Sequence, residues 1–256
     1  MTDAQGQVPE ADSVRKAIRR AALLTAGAGI AYGVLVIVAW FLMAGERDAL
    51  REAADPTAQH STTALGEASL ASMYLLPFAA ILFLWFIVAL RGWIRSTRHR
   101  PNMLISDLQL VSGVAFTVVF LVSAAAAATS VIVAGWRGEE IPVYALRGMA
   151  DFGSTLMIIM GVRMAAVFVL ATASLGMTTG ALPRWFNFVS YGFGLVLVLA
   201  PVVEETFAMA FPVWVIVLSV MLLHHLANLP ADEVPGFASR YTQRNETDAE
   251  GAGIVD

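Results

Sequence analysis

One basic residue, Arg163, interrupts an otherwise apolar segment that runs from Phe152 to Gly176. Arginine keeps its charge at physiological pH, and placing it at the centre of a membrane-spanning helix costs about 2.5–3.5 kcal/mol. The side chain therefore needs a partner or a water-filled cavity. Glu204 and Glu205 stand at the end of a later apolar segment, and a tilted Arg163 side chain could reach one of them. These three residues form the candidate site, either as a buried ion pair or as an outward-open anion site.

Two structural roles for Arg163 remain open beside that site. The first is an ion pair that only fixes how two helices pack. The second is a side chain that extends to the surface of a locally thinned bilayer.

The other residues that could do chemistry do not combine into a catalytic or metal site. Glu204 and Glu205 resemble the acidic pair of intramembrane proteases of the prenyl-processing type, but those have Arg where this chain has Met209. His224 follows Glu205 by 19 positions, roughly 29 Å along a helix, which is too far for ligands of one metal ion. The chain has no cysteine and no H-E-x-x-H, G-x-S-x-G or P-loop motif. We therefore expect no enzyme activity, metal or cofactor.

Composition indicates a membrane protein. Hydrophobic residues make up 58% of the chain and charged residues 14%, against about 25% charged in soluble domains. So few charges cannot cover a water-facing surface. The net charge of −4 disfavours nucleic acid as a partner, which leaves the lipid bilayer as the expected one.

The apolar segments predict an all-α, polytopic transmembrane bundle of six helices over residues 21–226, because each segment is close to the length that crosses a bilayer. Pro201, with the two glutamates, separates the last two spans. We expect residues 1–20 and 227–256 to be disordered cytoplasmic ends, basic and acidic respectively. The predicted spans are residues 21–43, 70–90, 108–135, 152–176, 186–203 and 206–226.

The distribution of basic residues predicts the orientation. Eleven Lys and Arg residues flank the spans on the side of the two termini and four on the opposite side. Because basic residues are retained in the cytoplasm, both ends should be inside, in a bacterial plasma membrane. Four of the eleven form a basic cluster between the second and third spans: Arg91, Arg95, Arg98 and Arg100. This cluster either faces lipid and binds anionic lipid at the cytoplasmic surface or only sets the topology.

Small residues recur at positions that would let helices approach closely. The first span has a G-x-x-x-G pair, Gly29 and Gly33, and the third has a run of small residues over 123–129. The fourth has Gly161 and Ala165 four positions apart. These positions serve either packing within the bundle, which we favour, or a dimer interface.

The second half of the chain resembles a family of bacterial six-helix integral membrane proteins, common in actinobacteria, for which no activity is known. The resemblance rests on the Arg-Met-Ala-Ala stretch that begins at Arg163 and on the Leu-Pro-Arg-Trp turn at 182–185. It implies six spans and an important Arg163, and it implies no reaction or ligand.

These observations predict a non-enzymatic structural or accessory membrane protein whose bundle is organised around a buried Arg163. The alternative is a small transporter or channel with an outward-open anion site at Arg163. The sequence indicates no particular ligand or protein partner.

Overall fold

The computed structural model describes residues 23–42, 65–95, 102–137, 143–199 and 207–227, and none of them forms a strand. The two terminal segments that the sequence predicts to be disordered lie outside the described residues. A π-helical turn, Met157–Gly161, joins the fourth and fifth helices into one continuous rod. The helices are α1 (Leu23–Leu42), α2 (Leu65–Arg95), α3 (Met103–Arg137), α4 (Val143–Leu156), α5 (Val162–Thr179), α6 (Arg184–Leu199) and α7 (Phe207–Ala227).

The all-helical fold is confirmed for the described residues, and membrane-spanning length for four of the six predicted spans. Long apolar segments form helices because a helix satisfies all its backbone hydrogen bonds within one segment. The helices that are long and apolar enough to cross a membrane are Leu23–Leu42, Tyr74–Arg95, Met103–Thr129 and Gly148–Thr179. The apolar parts of α6 and α7 are shorter, Arg184–Leu199 and Met209–His224, so six spans and their orientation stay predictions.

Nine aromatic side chains form a connected cluster in the interior. Phe83 on α2 lies at its centre and is completely buried. Its ring is 4.6 Å from that of Tyr32 on α1, and 5.6 Å from the rings of Phe168 on α5 and Phe211 on α7. Such ring pairs stabilise a fold beyond the area that they bury. The cluster, drawn from six helices, consists of Tyr32, Phe83, Phe86, Phe116, Phe120, Phe168, Phe186, Phe211 and Trp214.

Small residues bring helices into close contact within the chain. A Cβ atom added to Gly29 would overlap side-chain atoms of Phe86 on α2 and Ser219 on α7. The hydroxyl of Ser123 on α3 donates to the carbonyl of Gly153 on α4 at 2.5 Å. The G-x-x-x-G pair and the small-residue run of α3 therefore pack against neighbouring helices of the same chain.

The connection between α5 and α6 is a tight turn with a defined cap. Gly180 has φ 68°, the left-handed conformation that glycine adopts most easily after a helix. Asn187, one turn into α6, is fully buried and donates from Nδ2 to the carbonyl of Leu182 at 3.2 Å. Its Oδ1 lies against Gly176, where a Cβ atom would overlap it. The turn therefore fixes how α5 and α6 pack side by side.

The described helices of the bundle differ in length. The α2 and α3 helices have 31 and 35 residues, about 46 and 52 Å. The α1, α6 and α7 helices have 20, 16 and 21 residues, about 24–32 Å. The aromatic cluster takes side chains from α1, α2, α3, α5, α6 and α7, whereas α4 packs against α3.

Candidate functional site

The π-helical turn Met157–Gly161 ends two positions before Arg163. The amide of Val162 donates to the carbonyl of Met157, a five-residue spacing in place of the four of an α-helix. Such turns are rare and occur frequently at functional sites. The turn interrupts the regular ladder of main-chain hydrogen bonds, so nearby carbonyl oxygens become accessible to side-chain donors.

The guanidinium of Arg163 uses these carbonyl oxygens. Its Nη1 donates to the carbonyl of Ile159 at 2.7 Å and, more weakly, to that of Ile158 at 3.4 Å. Helical side chains point toward the N-terminus of their helix, so the side chain lies back along the π turn, away from the α5–α6 turn. The residue is partly exposed, unlike the buried arginine that the sequence suggested.

The structure does not describe the predicted ion pair. Glu204 and Glu205 lie outside the described residues. The carboxylates whose side chains are described are Asp107 and Asp151. Asp107 contacts Arg91, and Asp151 precedes Arg163 by 12 positions, about 18 Å along the same helix. Within the described ranges, Arg163 is therefore bonded to main-chain oxygens and to no carboxylate.

Arg163 lies level with the described ends of the short helices. Gly194 on α6 packs against Leu170 on α5. Because the two helices are antiparallel, the chain from Gly194 to Leu199 runs back along α5. Leu199 is therefore level with the turn of α5 that precedes Leu170. Arg163 lies seven positions before Leu170, about 10 Å further along the rod. Its side chain thus projects where the described part of α6 has ended.

The surface around the guanidinium is apolar. Ile159 is 43% exposed, Met160 49% and Leu199 69%. In an aqueous surface these side chains would be unfavourable, but in a membrane they suit contact with acyl chains. The arrangement is a single fixed cation at the edge of an apolar surface.

The basic cluster at the opposite end is divided between two environments. Arg91 is mostly buried: its Nε donates to the hydroxyl of Ser106 at 3.1 Å, and its Nη2 forms an ion pair with Asp107. Arg95 is exposed. Arg98 and Arg100 lie outside the described residues. Arg91 therefore joins α2 to α3, a role that neither sequence interpretation of the cluster, lipid binding or setting the topology, included.

The sequence analysis placed Arg91 in the basic cluster and missed its pairing with Asp107. The signal was present, since the two residues flank the short connection between α2 and α3. Antiparallel neighbours joined by a short loop bring such flanking residues together. The helix-start role at this end of α3 belongs to Asn102, whose Oδ1 accepts from the amide of Leu104 at 3.0 Å.

Buried polar side chains near the α5–α6 turn were also missed. Nε2 of Gln109 on α3 donates to the hydroxyl of Thr172 on α5 at 2.9 Å. Nε1 of Trp214 on α7 donates to the hydroxyl of Ser190 on α6 at 3.0 Å. Hydrogen bonds of this kind link helices in membranes. A single polar residue in an apolar segment is their sequence signal, but it does not identify the partner.

No group of three metal-ligating residues occurs among the described parts of the chain. His224 is exposed near the end of α7, and the carboxylates predicted to lie near Arg163 are among the residues that the structure leaves undescribed. The described surroundings of Arg163 offer hydrogen-bond donors from this one cation and no acid–base pair.

Comparison with known proteins adds no family or fold relative. No protein family, no curated protein and no solved structure matches this chain. The function is therefore argued from the helices, the aromatic cluster and the surroundings of Arg163.

Proposed function

We propose that this chain is a multi-pass protein of a bacterial plasma membrane with a structural or accessory role and no catalytic activity. The observation that carries this proposal is the filled interior. Phe83, Phe168 and Phe211 are buried and in mutual ring contact at the point where α2, α5 and α7 meet. A route for solutes through the bundle would have to separate these rings, at the cost of much buried apolar surface.

The proposed topology has six spans with both termini inside. The count of basic residues on the two sides supports this orientation. Arg184 and Trp185, both exposed at the start of α6, suit the cytoplasmic boundary, where aromatic and basic side chains anchor helices. From Thr179 back to Ile158, 21 positions correspond to about 31 Å, close to the roughly 30 Å of the hydrocarbon core.

The resemblance to six-helix membrane proteins of the actinobacterial type belongs to the same proposal. Its two motifs fall on features with a clear physical role: the Arg163 segment and the capped α5–α6 turn. Because no activity is known for that family, the resemblance supports the topology and no ligand.

Single-cysteine labelling tests the topology directly, because the chain has no native cysteine to remove. We would place cysteines at Ala4, Ser61 and Ala252, one per variant, and treat intact cells with a membrane-impermeant maleimide. Labelling of Ser61→Cys in intact cells, with the other two labelled only after lysis, is the expected result. Labelling of either terminal variant in intact cells would disprove the proposed orientation.

A second candidate function is a small transporter or channel with an outward-open anion site at Arg163. The observation that favours it is the partly exposed guanidinium, which keeps donors beyond those bonded to Ile158 and Ile159. Anion flux into liposomes containing the purified protein separates the two candidates. The structural proposal expects no flux above empty liposomes. Flux that is lost in Arg163→Gln, with Arg184→Gln unchanged, would favour the transporter instead.

A further inference from the structure

The carbonyl partners of Arg163 lie about one hydrocarbon thickness along the rod from the α5–α6 turn. The guanidinium bonds to the carbonyls of Ile158 and Ile159, and those residues are about 30 Å along the rod from Thr179. The exposed Arg184 and Trp185 follow directly on the far side of the α5–α6 turn. If that turn marks one boundary of the hydrocarbon core, the Arg163 head group reaches the other.

The guanidinium keeps unused hydrogen-bonding capacity. Arginine has five N–H donors, and the hydrogen bonds described here involve Nη1 alone. In the described ranges no carboxylate neutralises the charge, since Asp107 is paired with Arg91 and Asp151 is a distant residue of the same rod. The carbonyl contacts hold the side chain in place while Nε and Nη2 remain able to bind an anion.

The neighbouring surface is suited to acyl chains. Ile159 and Met160 are each nearly half exposed next to the guanidinium. A cation at the end of such a surface matches an amphiphile with an anionic head and apolar chains.

We propose that Arg163 and the π-helical turn bind the phosphate of an anionic phospholipid in the leaflet opposite the α5–α6 turn. The phosphate oxygens accept from Nε and Nη2 of Arg163 in the forked geometry that favours arginine over lysine, and the acyl chains lie along Ile159 and Met160. A phospholipid fits better than a free anion because the exposed side chains around the cation are apolar. This inference rests on the membrane placement proposed above.

The test measures lipid binding to the purified full-length chain. Native mass spectrometry in detergent counts bound phosphatidylglycerol, with phosphatidylcholine and inorganic phosphate as the comparison arms. We expect Arg163→Gln to bind phosphatidylglycerol about fivefold more weakly than the unchanged protein, which corresponds to about 1 kcal/mol for one charge near an anionic headgroup. Arg163→Lys should lie between them, because it keeps the charge without the fork.

Arg184→Gln is the matched control, because it removes the same charge from an exposed position at the other end of the rod. It should not change cross-linking of lipid at the π turn. Equal loss of phosphatidylglycerol in both variants would show general charge attraction and would overturn the site. Stronger binding of inorganic phosphate than of lipid would assign the site to a free anion.

A measurement on the unsubstituted protein keeps the proposal testable if Arg163→Gln fails to fold. Phosphatidylglycerol with a photoreactive acyl chain should cross-link to the peptide containing Ile159 and Met160 more than the matching phosphatidylcholine does. Equal cross-linking by the two lipids would overturn the proposal. Cysteine labelling tests the topology separately from the lipid site. A chain that is labelled as the topology predicts, but shows no lipid preference, would contradict the lipid site alone.

Discussion

The aromatic cluster and the π-helical turn before Arg163 both lie in apolar helices, but they differ in burial and in the partners of their side chains. Around Phe83, regular α-helices bring fully buried rings from different segments into contact. Around Arg163, the helix widens into a π turn, the side chain is partly exposed, and its hydrogen bonds to described residues go to its own main chain. The described ring contacts of the cluster therefore join several helices, whereas the described hydrogen bonds of Arg163 join none.

This division revises the expectation that the bundle is organised around Arg163. A residue that organises a bundle should contact several helices, as Phe83 does. Among the described residues, the hydrogen bonds of Arg163 stay within one rod. Variants in the two regions should therefore differ in stability, and four predictions test this from the largest expected effect to the smallest.

Phe83→Ala should cause the largest loss, about 3–5 kcal/mol in the free energy of unfolding. The substitution leaves a cavity among rings from α1, α3, α5 and α7. Unfolding in mixed detergent micelles measures the change. Phe78→Ala on the same helix is the control, because Phe78 is 61% exposed; equal losses would show that the cluster is not the centre of stability.

Gly29→Ala should cost about 1–3 kcal/mol, because its Cβ atom has no room between Phe86 and Ser219. Gly27→Ala, two positions earlier in α1, has open space and should be neutral or slightly stabilising, since alanine favours helices. Thermal unfolding of the two variants in one detergent provides the comparison. A stable Gly29→Ala with a changed oligomeric state would point to a dimer interface instead.

The Arg91–Asp107 pair should contribute less than about 1 kcal/mol, because Asp107 is 62% exposed and solvent screens the interaction. A double-mutant cycle with Arg91→Gln and Asp107→Asn isolates the coupling energy. We expect the coupling to shrink as salt concentration rises. A salt-independent coupling of several kcal/mol would mean that this junction, and not the aromatic cluster alone, holds the bundle together.

Arg163→Gln should change the unfolding free energy least, by about 0.5 kcal/mol or less, as is usual for partly exposed positions without close packing. Glutamine can still donate to the carbonyl oxygens of the π turn. The same unfolding assay used for Phe83→Ala measures the difference. A loss comparable to that of Phe83→Ala would restore Arg163 as the centre of the fold.

The sequence allowed the helices to be predicted better than their contacts. Each described helix overlaps a predicted span, because apolar composition over about 20 residues is a local property. The Leu-Pro-Arg-Trp turn at 182–185 falls on the α5–α6 connection, since proline limits helices by its own backbone chemistry. The pairing of Arg91 with Asp107 was missed, because it depends on how two helices face each other.

The candidate site was predicted in part. Arg163 was evident as an isolated charge in an apolar segment, but its bonding to Ile158 and Ile159 was not, because periodicity gives no sign of a π turn between two α-helices. Its proposed partners, Glu204 and Glu205, stay predictions. Composition alone determined that the chain needs an apolar environment and that one cation lies within its fourth apolar segment, since charge and hydropathy belong to each residue. Tertiary structure decided which rings meet at Phe83 and where Arg163 extends its head group, because distant segments must pack before either neighbourhood exists.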